Sequence, residues 1–149
     1  MKIAQCGLTD LFTRRLQFDR HNGRIINQRG TINMKMYTVN ERTTEIKCRL
    51  DREEARELDR STLEKKVDAK IDMTMNGNPD DYFEYTSIEE ALKKYEELKK
   101  SGMTYYSKSC NLLYVYQVYI DEDEVDEDGR IDYGETIRFY TDPEIEWRA

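Results

Sequence analysis

The sequence has little of what most catalytic and metal signatures are built from. Among 149 residues there is one histidine, one tryptophan, two prolines and seven glycines. The histidine, His21, adjoins the turn pair Asn22-Gly23 and reads as a solvent-facing side chain rather than a general base. Three cysteines (Cys6, Cys48 and Cys110) give an odd count with no CxxC pair, which speaks against a disulfide framework and suits a reducing cytoplasm. None has a histidine beside it. Cys48 falls on the apolar side of an alternating stretch, where a small buried hydrophobe is expected rather than a nucleophile. Neither GxGxxG nor a P-loop occurs, so nucleotide chemistry has no local support. The longest uncharged run, Ser109 to Ile120, has 12 residues, whereas a membrane-spanning helix needs about 20. The opening MKIAQCGLTD lacks the apolar run of a secretory signal. These absences lead to the expectation of a cytoplasmic protein that is not an enzyme, uses no cofactor and contacts no membrane.

Charge is what the chain has in abundance. Charged residues make up 37% and hydrophobic residues 38%, with a net charge of −7. Mean hydropathy is −0.92. Residues 1–33 carry six Lys/Arg and two Asp, a net of +4, so residues 34–149 carry −11. The last thirty residues hold twelve acids and three arginines, a net of −9. The length suits one domain, and the asymmetry divides the chain into a basic arm, 1–33, and an acidic domain, 34–149. Codon choice at Gln28-Arg29-Gly30 and Thr31-Ile32-Asn33 is also compatible with a ribosome-binding site before Met34, so the arm reads as a peripheral segment or an over-long start rather than as a nucleic-acid-binding arm. Direct nucleic-acid binding by the acidic part is disfavoured, because such affinity comes from neutralising phosphates with Lys/Arg.

Periodicity gives a coarse map. Thr9 offers a cap for a short helix through Gln17 in the arm. Thr44 to Leu50 alternates Ile46, Cys48 and Leu50 against charged neighbours, the pattern of a half-buried strand, with Met36 to Val39 as a hairpin partner and Asn40 to Thr43 turning between them. Asp51 and Glu54 form a capping box for a charged helix reaching about Leu63. Val67 to Met75 alternates for nine residues and reads as a strand. Tyr82 to Tyr85 reads as a short strand after the Asn76-Pro79 turn. Ser87 and Glu90 cap a second helix bearing Ile88, Ala91, Leu92, Tyr95 and Leu98 at helical spacing, with Lys99, Lys100 and Gly102 at its end. Strands at 103–107, 112–122 and 130–140 follow, with Leu112, Tyr114, Tyr116, Val118 and Ile120 as one apolar face. The expected fold is α+β: a mostly antiparallel sheet of about five to seven strands, two helices on one face, and a short N-terminal helical arm. Such helices leave the opposite sheet face open to a partner.

One acidic stretch stands out. Glu124-Val-Asp126-Glu-Asp128-Gly129-Arg-Ile131-Asp132-Tyr-Gly-Glu135 resembles the twelve-residue calcium loop of EF-hand proteins, with acids or Gly at positions 1, 3, 5, 6, 9 and 12. That resemblance implies a calcium site at Glu124, Asp126, Asp128, Asp132 and Glu135. It departs from the pattern at position 1, which is Glu. The preceding β-branched and aromatic residues also read as strand rather than helix. A hairpin tip turning at Asp128-Gly129 explains the same residues.

Tyrosine is the other enriched type, with ten of eleven falling between Tyr82 and Tyr140. Tyr114 and Tyr116 read as core, while Tyr105, Tyr119 and Tyr133 read as exposed. Interleaved with Asp and Glu rather than Lys/Arg, they suit a basic protein surface. The leading expectation is a small acidic binding or inhibitor protein that docks through Tyr119, Asp121, Asp123, Glu124, Asp126, Asp128 and Tyr133. Its partner would be a larger protein whose basic surface itself binds nucleic acid. By analogy of size and charge, this is the profile of a nucleic-acid-mimicking anti-defence factor of phage or mobile elements, anti-CRISPR proteins included. A calcium-binding protein using loop 124–135 and an enzyme without recognisable motif are the alternatives.

Overall fold

The computed structural model describes residues 25–26 and 32–149. In chain order the elements are β1 (Ile25–Ile26), β2 (Ile32–Lys47), α1 (Arg52–Glu57), α2 (Arg60–Thr74), β3 (Asp81–Tyr85), α3 (Ile88–Ser101), β4 (Thr104–Ser107), β5 (Leu112–Val125), β6 (Ile131–Thr141) and β7 (Ile145–Arg148). The strands are ordered β1-β2-β5-β4-β7, with β3 also pairing β2 and β6 also pairing β5. β1 runs antiparallel to β2 and β4 to β5, while β4 and β7 are parallel. The α+β class and the mostly antiparallel sheet are as expected. β2 starts at Ile32, so a boundary at residue 34 falls inside it. The arm helix at Thr9–Gln17, Cys6 and the His21 turn lie outside the described residues. No helix among those described is long and apolar enough to cross a membrane.

The described residues fall into two compact units. One comprises those up to Asn40 with Asp81–Tyr95 and Tyr119–Arg138. The other comprises Glu41–Asp80, Glu96–Val118 and Phe139–Ala149.

In the second unit the core gathers Leu50, Ala55, Leu63, Val67, Tyr106, Leu113 and Val115, with Ile71 and Trp147 packed against it. Asp51 caps α1, its carboxylate accepting from Glu54 N at 2.8 Å, and Asp59 caps α2 in the same way from Thr62 N at 2.8 Å. Each carboxylate satisfies an amide that the first helical turn leaves without a partner. Val67 to Met75 is therefore not a strand but the second half of α2 and its cap. Leu63, Val67 and Ile71 recur every four residues and face the core, whereas Ala69 is exposed and Met73 and Met75 are 75% and 88% exposed. The alternation at 67, 69, 71, 73 and 75 contains both periods, and the helical one is buried. Met75 ends the helix in the left-handed region, with φ 55°.

The expected turn at Asn40 to Thr43 is also corrected, since β2 runs through it unbroken. In the first unit Asn40 Nδ2 donates to Thr38 O and to Asp121 Oδ2, both at 3.2 Å. In the second, Arg42 Nε and Nη2 donate to Gln117 Oε1 at 3.1 and 2.7 Å. These side chains tie β2 to β5 instead of turning the chain.

β5 is covered on both sides within the second unit. Leu113 and Val115 belong to the core under α1 and α2. Tyr116, of opposite parity, points its hydroxyl to within 2.7 Å of the Leu98 carbonyl in α3. Two helices, α1 and α2, do share one face, but the Ser87-capped helix α3 meets the other. The single apolar face expected at Leu112, Tyr114, Tyr116, Val118 and Ile120 gives way to burial of every residue from Leu113 to Ile120 except Tyr114. α3 itself follows the expectation: Ser87 Oγ accepts from Glu90 N at 3.4 Å, and Ala91, Tyr95 and Leu98 are buried. Gly102 follows because a Cβ there would overlap the Tyr116 ring.

Candidate functional site

The first unit holds the acidic hairpin of β5 and β6. Its turn is built by Asp126, whose Oδ1 accepts from Asp128 N and Arg130 N at 2.9 Å each. The backbone closes the turn with Asp126 N donating to Arg130 O at 3.0 Å. Gly129 sits at φ 86°, a conformation that side chains disfavour. The flanks are strands, so the resemblance to the EF-hand loop does not extend to its helices. No three carboxylate, thiol or imidazole side chains gather into a cation-binding group among the described residues. Glu124, Asp126, Asp128, Asp132 and Glu135 are thus not brought together as a ligand set.

Instead the hairpin forms an open concavity of about 420 Å³ lined by Glu122, Glu124, Asp132, Tyr133, Gly134 and Glu135. Residues two apart on a strand share a face, which places Glu122 and Glu124 side by side on β5. β2 holds each in place: Lys35 Nζ lies 3.4 Å from Glu122 Oε1, and Asn33 Nδ2 donates to Glu124 Oε2 at 3.1 Å. Tyr37 lies near Glu122, and its phenol is pushed above its ordinary pKa by burial first, then by the charge and hydrogen bond of that carboxylate. Tyr133 projects from β6 with 78% of its surface exposed. The result is a large aromatic ring standing free among four carboxylates, of which Glu122 is ion-paired.

Of the seven expected partner-binding residues, Glu124 and Tyr133 meet in this concavity and Asp128 is exposed at the hairpin tip. Asp126 is consumed by the turn. Tyr119 and Asp123 turn inward, which corrects their expected exposure, while Asp121 is half-buried and engaged by neighbouring side chains. Tyr119 is buried. Asp121 accepts from Thr136 Oγ1 at 2.6 Å and from Asn40. Asp123, 5% exposed, accepts from Gly134 N at 2.9 Å. Burial raises the pKa of Asp123, with the charges of Asp121, Asp132 and Glu122 adding to the shift. Glu122 is a wall residue that the sequence reading passed over, and Asp132 and Glu135 figured there only as calcium ligands. Every position from Asp121 to Glu124 is acidic, so charge alone could not reveal which parity faces outward.

Elsewhere, the second unit has a concavity of about 330 Å³ whose lining includes Arg42, Glu45, Lys70 and Asp80, charges of both signs. Cys48 is half-buried and burial raises its thiol pKa, while the exposed Cys110 thiol is lowered by hydrogen bonds with Ser107 and Ser109. Neither has a histidine or a second cysteine among its described contacts. The chain matches no protein-family model, no curated protein and no solved structure, so its functional reading rests on its own residues and geometry.

Proposed function

We propose that this chain is a non-enzymatic, cytoplasmic binding protein that docks its acidic hairpin on a basic surface of a larger protein and blocks that surface. The observation that carries the reading is the exposed Tyr133 ring set in a concavity walled by Glu122, Glu124, Asp132 and Glu135. A phenol ring offers rigid contact area and a π face for a lysine or arginine, while carboxylates on both sides pair with neighbouring cations. Lys35 and Asn33 hold two of those carboxylates before any partner arrives, which lowers the ordering cost of binding. A surface that ordinarily binds phosphates would meet carboxylates in their place. This is the chemistry of a nucleic-acid mimic, and it fits an anti-defence inhibitor directed at a nuclease of the anti-CRISPR type.

The experiment begins with capture of partners at low and high salt, followed by surface-binding kinetics with the protein identified. Complementary charge acts mainly on association, so Glu124→Lys and Glu135→Lys should slow the on-rate about tenfold at low salt and less as salt rises. Tyr133→Ala should instead raise the off-rate by about thirtyfold, the effect of losing an anchor worth roughly 2 kcal/mol. An association rate indifferent to salt and to both reversals would refute the reading.

A further inference from the structure

We infer that the β7 edge is a self-association surface on which two copies of this chain pair antiparallel about a two-fold axis through Trp147. Among the described residues β7 pairs with β4 alone and stands last in the strand order, so its outer edge has no strand beside it. The parallel register sets Tyr106 beside Trp147 and Ser107 beside Arg148, and the Arg148 carbonyl accepts from Lys108 N at 2.8 Å. Both backbone groups of a strand residue point the same way, and the direction alternates along the chain. Glu146 and Arg148 therefore aim their N–H and C=O at β4, while Ile145 and Trp147 aim theirs outward. A free edge of this kind pairs with any strand that complements it.

The edge complements itself. Centring an antiparallel pair on Trp147 lets the outward N–H and C=O of the two Trp147 residues exchange hydrogen bonds. Ile145 then stands opposite Ala149 of the second copy. In that register Glu146 lies directly opposite Arg148 of the second copy, and Arg148 opposite its Glu146, at the close spacing of a pair without backbone bonds. Two opposite-charge pairs form by symmetry from four residues, as an isologous contact requires. The neighbouring registers of the same parity set Glu146 opposite Glu146 or Glu144, or Arg148 opposite Arg148, like-charge contacts that this register avoids. The side chains already stand on one face: Arg148 Nη2 lies 3.1 Å from Glu146 Oε2, and its guanidinium lies 3.8 Å over the Tyr105 ring. On the other face Trp147 rests on Tyr106 with ring centroids 5.0 Å apart, and the Arg52 guanidinium of α1 lies 5.9 Å over the Trp147 ring. An edge carrying like charges would repel its copy, and this one does not.

Sedimentation velocity of the full chain over a concentration series, at about 0.15 M salt, tests the proposal. The wild-type mass should rise from monomer toward dimer. E146R places two arginine–arginine pairs across the axis and R148E two carboxylate pairs, so each should weaken dimerisation about tenfold or more. Mixed in equal amounts, the two variants are complementary and should recover the dimer as a heterodimer. The double swap E146R/R148E rebuilds every pair and should dimerise like wild type, and thermal unfolding of each variant confirms that it is folded. A wild type that stays monomeric to about 1 mM would overturn the inference. So would single reversals that dimerise undiminished, or a folded mixture and double swap that remain monomeric.

Discussion

Replacing Gly102 by alanine tests how tightly α3 is joined to β5 in the second unit. A Cβ at this position would overlap Cζ and Cε1 of Tyr116 and lie 2.6 Å from its Cδ1. The ring cannot easily retreat. Tyr116 is 3% exposed, and its hydroxyl lies 2.7 Å from both the Leu98 carbonyl and the Glu41 carboxylate. Burial holds this phenol far above its ordinary pKa, so it stays protonated and donates to one acceptor or the other. Overpacking a filled site costs about 1–3 kcal/mol. Displacing the ring forfeits its hydrogen bond as well, about 1 kcal/mol more. The sum, about 2–4 kcal/mol, corresponds at this chain length to a loss of roughly 5–15 °C in Tm. Urea unfolding followed by far-ultraviolet circular dichroism measures it, with an unchanged m-value expected. The clash has one named partner, so a double-mutant cycle isolates it: in a Tyr116→Val background Gly102→Ala should cost about 0.5 kcal/mol or less. A Gly102→Ala protein within about 0.5 kcal/mol of wild type would refute the reasoning, as would an equal cost in both backgrounds.

Three further outcomes follow from the structure. Met75→Gly should stabilise the protein by about 1 kcal/mol in urea unfolding, because the exposed Met75 side chain holds a left-handed φ of 55° without packing in return. Gln117→Leu should cost about 2–4 kcal/mol, since it strips Arg42 of its two bonds to the amide oxygen and removes the 3.0 Å donor to the buried Thr141 hydroxyl. The pH dependence of Tm should pass through a maximum. Glu84 and Asp123 are raised above the usual carboxylate range by burial, so the folded state binds their protons more readily and stability should rise as pH falls from 7 to about 5. Below about pH 4, Asp59 and Glu89, held low by hydrogen bonds around Thr62 and Ser87, lose their contribution and stability should fall. Asp123→Asn should flatten the rise between pH 7 and 5, and a Tm that only falls over that interval would contradict the assignment.

The parts of the fold legible in the sequence are those where a local signal had no competitor. Ser87 and Glu90, an unbroken helical stripe, two terminal lysines and Gly102 all agree on α3, and α3 is there. Asp51 likewise marks the start of α1. Legibility failed where one stretch carried two patterns. Val67, Ile71 and Leu63 repeat every four residues, while Val67, Ala69 and Ile71 repeat every two, and only the neighbouring core decides between them. Asn40 and Thr43 are turn formers by type, yet Asn40 is 4% exposed and spends its amide on Thr38 and Asp121. β7 escaped notice because four residues are too few to show a period. At the candidate site the hairpin and its turning pair were readable from Asp128-Gly129. The outward parity was not, because acids occupy both parities. Asp123 and Glu124 are chemically near-equivalent in sequence, and only pairing with β2 and β6 sends one inward and the other into the concavity.

The pairing of β2 with β5 also governs how this chain is made. Asn33 and Glu124 are 91 positions apart, and their hydrogen bond closes a loop containing most of the chain. At a synthesis rate of roughly 5–20 residues per second, β2 leaves the ribosome on the order of 5–20 s before the far end of its partner strand exists. For that interval a sixteen-residue β-former has only the short strands β1 and β3 to pair with. Lys35, Glu41, Arg42, Glu45 and Lys47 punctuate it so that no long apolar window is offered to neighbouring chains. The charges that tie β2 into the finished sheet thus also protect the nascent chain from aggregating before β5 has been synthesised.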